Sequence, residues 1–309
     1  MRNGKYYLYL LVICLLVSAC NGFGQSATTL PTMAKPTGFS TRLPKPTLEP
    51  VSAEWIKNSS FTLPVLGKQV QLINGSYHGT VSGAMNLSVS VLDPIVLGDL
   101  NGDEAVDAAV LLAEAGSGSG IVVSLIIMIN QDGKLVQSGS KVVDNQPIIH
   151  DMTLEDNQII LETTIHATQD AECCPTFDVI QTYQWKNNSI TLMRITSKTS
   201  SGDKRAITLN TPVAGQQFTG SVVVNGTLSV TPNENKIIYR IYNDQGNGIT
   251  EGFVAVNSAG IGKPGTFEEV IDLSKFTTGQ VIRLAIIELG SDDSLIKVMD
   301  SVFIVVSSP

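Results

Sequence analysis

From Val51 onward the chain is a succession of short apolar runs rich in Val, Ile and Leu, each ended after a few residues by Gly, Asn, Asp or Ser. Runs this short cannot supply the long apolar stripe of a helix, and β-branched side chains suit a pleated, half-buried surface. Strands are expected over 87–92, 107–113, 121–130, 148–154, 159–165, 177–185 and 190–196. Turns at Asp132-Gly133, Glu155-Asp156-Asn157 and Lys186-Asn187-Asn188 fall between them. Val70 to Ile73 leads into Asn74-Gly75, a pair that favours a type I′ hairpin because both positions tolerate positive φ. The near-continuous run from Ile121 to Ile129 predicts a central strand covered on both faces. Only 55–60 and 103–115 have a pattern that a helix can use, the second in competition with the strand at 107–113.

The polar stretch 199–205 is the best domain boundary. Beyond it strands are expected over 206–209, 221–229, 236–242, 252–256, 266–272, 281–289 and 301–306. Strands of this number and spacing, within about 100 residues, read as an immunoglobulin-type β-sandwich. No cysteine pair is placed to bridge its sheets, so packing alone must hold its core. The fold class expected is mainly β: an antiparallel β-rich domain over 51–198, with an α+β arrangement left open, then an immunoglobulin-like sandwich over 206–309.

The N-terminus sets the address. Arg2 and Lys5 precede an apolar stretch over 6–17, and Leu16-Val17-Ser18-Ala19-Cys20 has the form of a lipobox. The apolar stretch is too short to span a bilayer, which takes about 20 residues. The expectation is a lipoprotein signal over 1–19, cleaved before Cys20, whose thiol then carries diacylglycerol. The alternative is an ordinary secretory signal with a chance cysteine. Residues 20–50, with Pro31, Pro36, Pro44, Pro46 and Pro50, read as a tether in which no helix persists. The protein is thus expected outside the cytoplasm, lipid-anchored to the cell membrane, or to the outer membrane in a diderm host.

Losing Arg2 and Lys5 with the signal moves the formal net charge from −8 to −10. Such an acidic surface repels a polyphosphate backbone, so nucleic acid is excluded as an expected partner. Membrane attachment must then come from the lipid. Of the four cysteines, Cys14 leaves with the signal and Cys20 takes the lipid, which leaves the neighbours Cys173 and Cys174. In an oxidising compartment they form a vicinal disulfide ahead of Pro175, or stay as thiols, or serve redox or metal chemistry.

Asp99, Asn101, Asp103 and Asp107 occupy positions 1, 3, 5 and 9 of a D-x-N-x-D-x-x-x-D run, with the Ala105 carbonyl at position 7. A tight loop turns such oxygens inward, and hard Ca²⁺ takes 6 to 8 of them at about 2.3–2.6 Å. The run resembles the calcium loops of integrin-type propeller repeats, yet one copy excludes a propeller. Glu104 stands where glycine is usual, and Val110 where an EF-hand has its bidentate Glu. One structural Ca²⁺ is the expectation, with a metal-free turn of capping carboxylates as the alternative.

Gly116 to Gly120 is neither a nucleophile elbow nor a phosphate loop, since Gly118 takes the serine's place and no Gly-Lys-Ser/Thr follows. His166, Asp170, Glu172, Cys173 and Cys174 make a poor zinc set, because adjacent cysteines rarely reach one tetrahedral centre. His78 and His150 are isolated in the sequence. No Ser/His/Asp set can be nominated.

Thr211-Pro212-Val213-Ala214-Gly215, then Val222-Val223-Val224-Asn225-Gly226, Gly265-Thr266-Phe267, Ala285-Ile286-Ile287-Glu288 and Val302-Phe303-Ile304-Val305-Val306 follow in a recognisable order. The last 104 residues resemble the immunoglobulin-like domain of bacterial spore germination proteins and many envelope lipoproteins. Asp292-Asp293-Ser294 departs from that family's Asp-Gly-Ser turn. Residues 65–195 resemble a lipoprotein domain of unknown function, on Gly98 to Asp103, Asp107 to Leu112, the Gly-Ser loop and Cys173-Cys174-Pro175-Thr176. The resemblance of the last 104 residues implies a binding or spacing module at the envelope and supplies no catalytic residues. The favoured reading is a non-catalytic binding or scaffolding module for an envelope protein or wall polysaccharide, and the sequence does not distinguish Tyr239 and Tyr242, near Arg240, from core residues. The alternative is a Ca-stabilised enzyme or inhibitor acting on wall polymers, for which Glu162, Asp170 and Glu172 are the candidate carboxylates.

Overall fold

The computed structural model describes residues 51–81, 85–116, 118, 120–290 and 294–308. The expected signal, Cys20 and the tether up to residue 50 lie outside the described residues, as do Asp292 and Asp293. One short helix, α1 (Ala53–Lys57), opens the described chain, and the Ser52 hydroxyl caps it by accepting from the Trp55 N–H at 3.2 Å. A small hairpin follows, β1 (Ser60–Thr62) and β2 (Gln69–Gln71).

Two antiparallel meanders come next. The first runs β3 (Ser76–Val81), β4 (Met85–Gly98), β5 (Asp107–Ala115), β6 (Ile121–Gln131) and β7 (Lys134–Asn145), each beside its sequence neighbour. The second runs β8 (Ile148–Glu155), β9 (Gln158–Ile165), β10 (Phe177–Lys186) and β11 (Ser189–Lys198). Local chemistry sets these hairpins. Asp132-Gly133, Asp156-Asn157 and Asn187-Asn188 each make a two-residue loop with both residues at positive φ, the geometry whose twist matches paired strands. Asn74-Gly75 does the same, at φ 51° and 80°, between the bridged Ile73 and Ser76.

The first meander is covered on both faces. Ala109, Leu111, Ala113, Leu125 and Ile127 meet Met152, Leu161, Tyr183 and Trp185 of the second meander. Ala108, Val110, Leu112, Ile126 and Met128 meet Ile56, Phe61, Leu63 and Leu72 beneath α1 and the β1–β2 hairpin. This overturns the helix allowed over 103–115. Successive residues of β5 feed two cores on opposite sides, which only an extended strand can do. The helix propensity of its alanines and leucines loses to that burial.

The remaining strands are β12 (Lys204–Arg205), β13 (Ile207–Thr211), β14 (Gln217–Phe218), β15 (Ser221–Leu228), β16 (Lys236–Tyr242), β17 (Gly248–Ser258), β18 (Gly265–Asp272), β19 (Val281–Leu289) and β20 (Ile296–Val306). They form a sandwich. β13, β15 and β18 make one sheet and β16, β19 and β20 the other. Strand β17 crosses between them: its first part pairs with β16, and Val256 to Ser258 pair with β18. Val222, Val224, Ile237, Val254, Phe267, Leu284 and Ile304 fill the space between the sheets. Gly226 lets that packing close, because a Cβ there would meet the Thr208 carbonyl and stand 2.6 Å from the Phe267 ring.

Residues 199–205 form a tight hairpin from β11 into β12, with Thr199 N–H bonded to the Asp203 carbonyl at 2.9 Å. The two lobes share a sheet. β11 pairs with β20 through Arg194↔Asp300 and Ile195↔Met299, joining the second meander to the sandwich. Val179 and Ile195 of one lobe and Ala285, Ile287 and Met299 of the other form a common apolar cluster beside that pairing.

Candidate functional site

The chain between β4 and β5 winds around Asp99. Its Oδ1 accepts from the N–H groups of Gly102 (2.6 Å), Asn101 (3.1 Å) and Asp103 (3.3 Å), and its Oδ2 from Glu104 N–H (3.0 Å). Asp103 Oδ1 accepts from Ala105 N–H at 2.8 Å. The sharp turn at the sixth loop position is made by Glu104 itself at φ 67°, a conformation that costs a residue other than glycine about 1 kcal/mol. At the first residue of β5, Asp107 is fully buried; it accepts from Leu100 N–H (2.9 Å) and Asn130 N–H (2.8 Å), pinning the loop to β6.

The loop brings carboxylate oxygens of Asp99, Asp103 and Asp107 within 4.8 Å of one another. Burial pushes the Asp107 carboxyl up, and the charges of Asp103 and Asp99 add to the rise, although two backbone N–H groups oppose it. For Asp99, desolvation works upward, but the N–H groups of Gly102, Glu104, Asn101 and Asp103 hold its carboxyl below the usual range. Asn101 turns its Nδ2 to Asp103 Oδ2 at 2.8 Å, while its Oδ1 accepts from Asp103 N–H at 2.9 Å. Ala105 enters the network through its N–H. The three carboxylates are therefore placed together, with the Asn101 oxygen on a backbone donor. Such a set of oxygens has the hardness and charge that a Ca²⁺ site uses.

The loop between β9 and β10 holds the second group of candidates. Cys173 and Cys174 are bonded to each other. Asp170 accepts from Ala167 N–H (2.8 Å), Thr176 N–H (2.7 Å) and the Thr176 hydroxyl (2.8 Å), fastening both ends of the loop. His166 Nδ1 lies 2.9 Å from Asp144 Oδ2, and its Nε2 lies 3.2 Å from the Glu172 carbonyl. The hydrogen bond with Asp144 raises the imidazole pKa above its ordinary value. The zinc alternative is not what this loop builds: the sulfurs are used on each other and the carboxylate on the loop backbone. Among the described residues, only Asp99, Asp103 and Asp107 bring three such side chains to one point.

The three carboxylates considered for catalysis are dispersed. Glu162 lines a groove of about 430 Å³ with His150, Asp178 and Lys198, whereas Asp170 and Glu172 belong to the disulfide loop and are absent from that lining. His150, isolated in the sequence, is not isolated here. Its Nε2 is 2.8 Å from the Thr164 hydroxyl, which donates to Asp178 Oδ1 at 2.6 Å. A register shift between Ile149 and Asp151 aims His150 across the sheet. Nothing in the sequence signals this ladder, since each step joins residues 14 apart through strand register. The hydroxyl proton lies on the carboxylate side, so the arrangement orients the imidazole and stabilises the Asp178 anion, whose pKa is lowered first by Thr164.

Tyr239 and Tyr242, which the sequence could not separate from core residues, are both half-buried. Tyr239 is half-buried over Gly252 and packs on the sandwich core. Tyr242 sits in the cluster between the lobes with the Arg283 guanidinium 4.0 Å from its ring centre. Arg240 is held by Glu251 at 2.8 Å. Alternation along β16 sends the tyrosines to opposite faces, both covered. Among the described residues, Trp55 and Phe253 are the exposed large aromatics.

Fold and sites together define a mainly β protein whose residues 206–308 include an immunoglobulin-like sandwich. Residues 206–293 match the family described as the immunoglobulin-like domain of bacterial spore germination, Gmad2. No curated protein matches the chain.

Proposed function

We propose that this protein is a lipid-anchored, non-catalytic envelope protein that binds or positions an envelope protein or wall polysaccharide through its immunoglobulin-like lobe. The observation that supports this best is the β11–β20 pairing, which fuses the lobe to the preceding domain through a shared sheet. A sandwich fixed in this way presents its loops in one orientation, and rigid presentation reduces the entropy lost on binding. On this reading Cys20 carries the lipid and residues 20–50 provide reach away from the membrane. The Asp99–Asp107 loop holds one structural Ca²⁺ through Asp99, Asp103 and Asp107, once the Asn101 amide turns its oxygen inward.

The test is fractionation of cells expressing the full-length protein or Cys20→Ala, with labelled fatty acid, followed by cosedimentation of the purified protein with isolated envelopes. Lipid label and membrane recovery that vanish in Cys20→Ala, with saturable cosedimentation, support the reading. Soluble recovery of both forms, or no cosedimentation, overturns it. The enzyme reading keeps one supporting observation, Glu162 in the groove with the His150–Thr164–Asp178 ladder. Release of soluble fragments from wall polymers, lost in Glu162→Gln, would favour it.

A further inference from the structure

Charge on the immunoglobulin-like lobe is segregated. Residues 206–309 carry ten carboxylates and only four lysines. Three of those lysines, Lys236, Lys263 and Lys297, line a single groove of about 970 Å³, and the hairpin between the lobes adds Lys204 and Arg205. Three carboxylates line it too, but two are engaged: Glu288 by Arg205 and Glu234 by Lys236. Asp203 accepts from the Ser201 hydroxyl. Lys204, Lys263 and Lys297 make no ion pair among the described residues. An acidic protein has thus gathered lysines along one trough, Lys204 and Lys263 outside any ion pair among the described residues and Lys297 in the field of Glu288.

The groove also has an apolar flank. Phe253 is 68% exposed and Ile261 60%, and both line the same trough. Lys236 Nζ stands 4.9 Å from the centre of the Phe253 ring. A flat hydrocarbon face beside ammonium groups matches a ligand whose rings offer C–H faces and whose substituents carry negative charge. Spacing the lysines along a trough, rather than in one deep pocket, matches a polymer rather than a small anion.

We infer that this groove binds an anionic polysaccharide, with Lys204, Lys263 and Lys297 meeting its charged groups and Phe253 its sugar faces. The inference rests on the binding reading above and gives it a ligand class and a location. Field focusing in the groove lets an overall acidic protein attract a polyanion at this face alone.

The test titrates the full-length protein with polygalacturonate, neutral dextran and inorganic polyphosphate at low salt and at about 0.15 M. Polygalacturonate is expected to bind, with affinity falling as salt rises, and dextran is not. Lys204→Glu/Lys263→Glu should lose at least tenfold in affinity, while Lys275→Glu, a reversal outside the groove, should stay within twofold. Phe253→Ala should weaken polygalacturonate binding and leave polyphosphate unchanged. The inference is overturned if polygalacturonate is not bound or if Lys275→Glu costs as much as the groove pair. It also fails if polyphosphate binds equally well and Phe253→Ala changes neither ligand. Envelope cosedimentation separates the two levels: equal recovery of wild type and the groove variant sinks the groove alone, and recovery of neither sinks the envelope reading.

Discussion

Arg194 and Asp300 stand opposite each other where β11 meets β20, and Arg194 Nε donates to Asp300 Oδ1 at 3.0 Å. The pair is unequal. The Arg194 side chain is 52% exposed and that of Asp300 is 6%. Asp300 also accepts from the N–H groups of Leu209 (2.9 Å) and Ser301 (3.1 Å), so one carboxylate ties β11, β13 and β20. Asp300→Ala strands buried donors and is expected to cost about 2 kcal/mol or more. Arg194→Ala removes a solvated partner and should cost under about 1 kcal/mol. Urea unfolding of both variants checks the asymmetry, and equal losses would contradict it.

The aspartate loop separates a cation's contribution from a structural one. Excess Ca²⁺ at about 100 times its Kd adds roughly 2.7 kcal/mol to a protein that binds only when folded. Thermal unfolding is therefore expected to shift upward by a few degrees in Ca²⁺ relative to EDTA, and Asp99→Ala/Asp103→Ala should abolish the shift. Asp107→Ala should lose about 2 kcal/mol even in EDTA, because Leu100 and Asn130 lose their acceptor. No Ca²⁺ shift in the wild type would leave the loop as a turn of capping carboxylates.

His166 gives the fold a pH signature. Its pKa is raised in the folded state by the hydrogen bond with Asp144, so the imidazolium is favoured by folding. The stabilisation is complete below the ordinary histidine value of about 6.5 and is lost as pH rises through the folded pKa. Stability measured from pH 6 to 8 should fall more steeply in the wild type than in Asp144→Asn. Identical slopes would show that the pair does not titrate with folding.

Cys173 and Cys174 close almost no chain, and a cross-link stabilises chiefly in proportion to the loop it removes from the unfolded state. Their loop is held instead by the three hydrogen bonds to Asp170. Cys173→Ser/Cys174→Ser is therefore expected to lower the melting temperature less than Asp170→Ala does. The reverse order, by calorimetry, would make the disulfide the main fastening.

Gly226 tests the sandwich closure. Gly226→Ala places a methyl group against a backbone carbonyl and an aromatic ring, neither of which can yield cheaply. A loss of about 2–3 kcal/mol is expected from overpacking, read as a lower denaturant midpoint. A neutral result would mean that the β13–β15 register adjusts.

Most of the strands and their hairpins were legible in the sequence, because alternation and Asn-Gly, Asp-Gly or Asn-Asn turns are decided within a few residues, whereas β3 and β7 were not among the expected strands. So were the immunoglobulin-like lobe, from its ordered Gly and Val motifs, and the spacing that gathers Asp99, Asp103 and Asp107. What the sequence left open depends on contacts between distant segments. Asp107 to Ala115 is a strand because α1 and the first hairpin cover one face while the second meander covers the other. Tyr239 and Tyr242 are half-buried because apolar clusters pack against opposite faces of β16. The His150–Thr164–Asp178 ladder, the Arg194–Asp300 junction and the lysine groove from 204 to 297 each assemble side chains through strand register. Local physics selects φ, ψ and strand, but register and burial are set only when the whole chain closes on its cores, and there these sites are made.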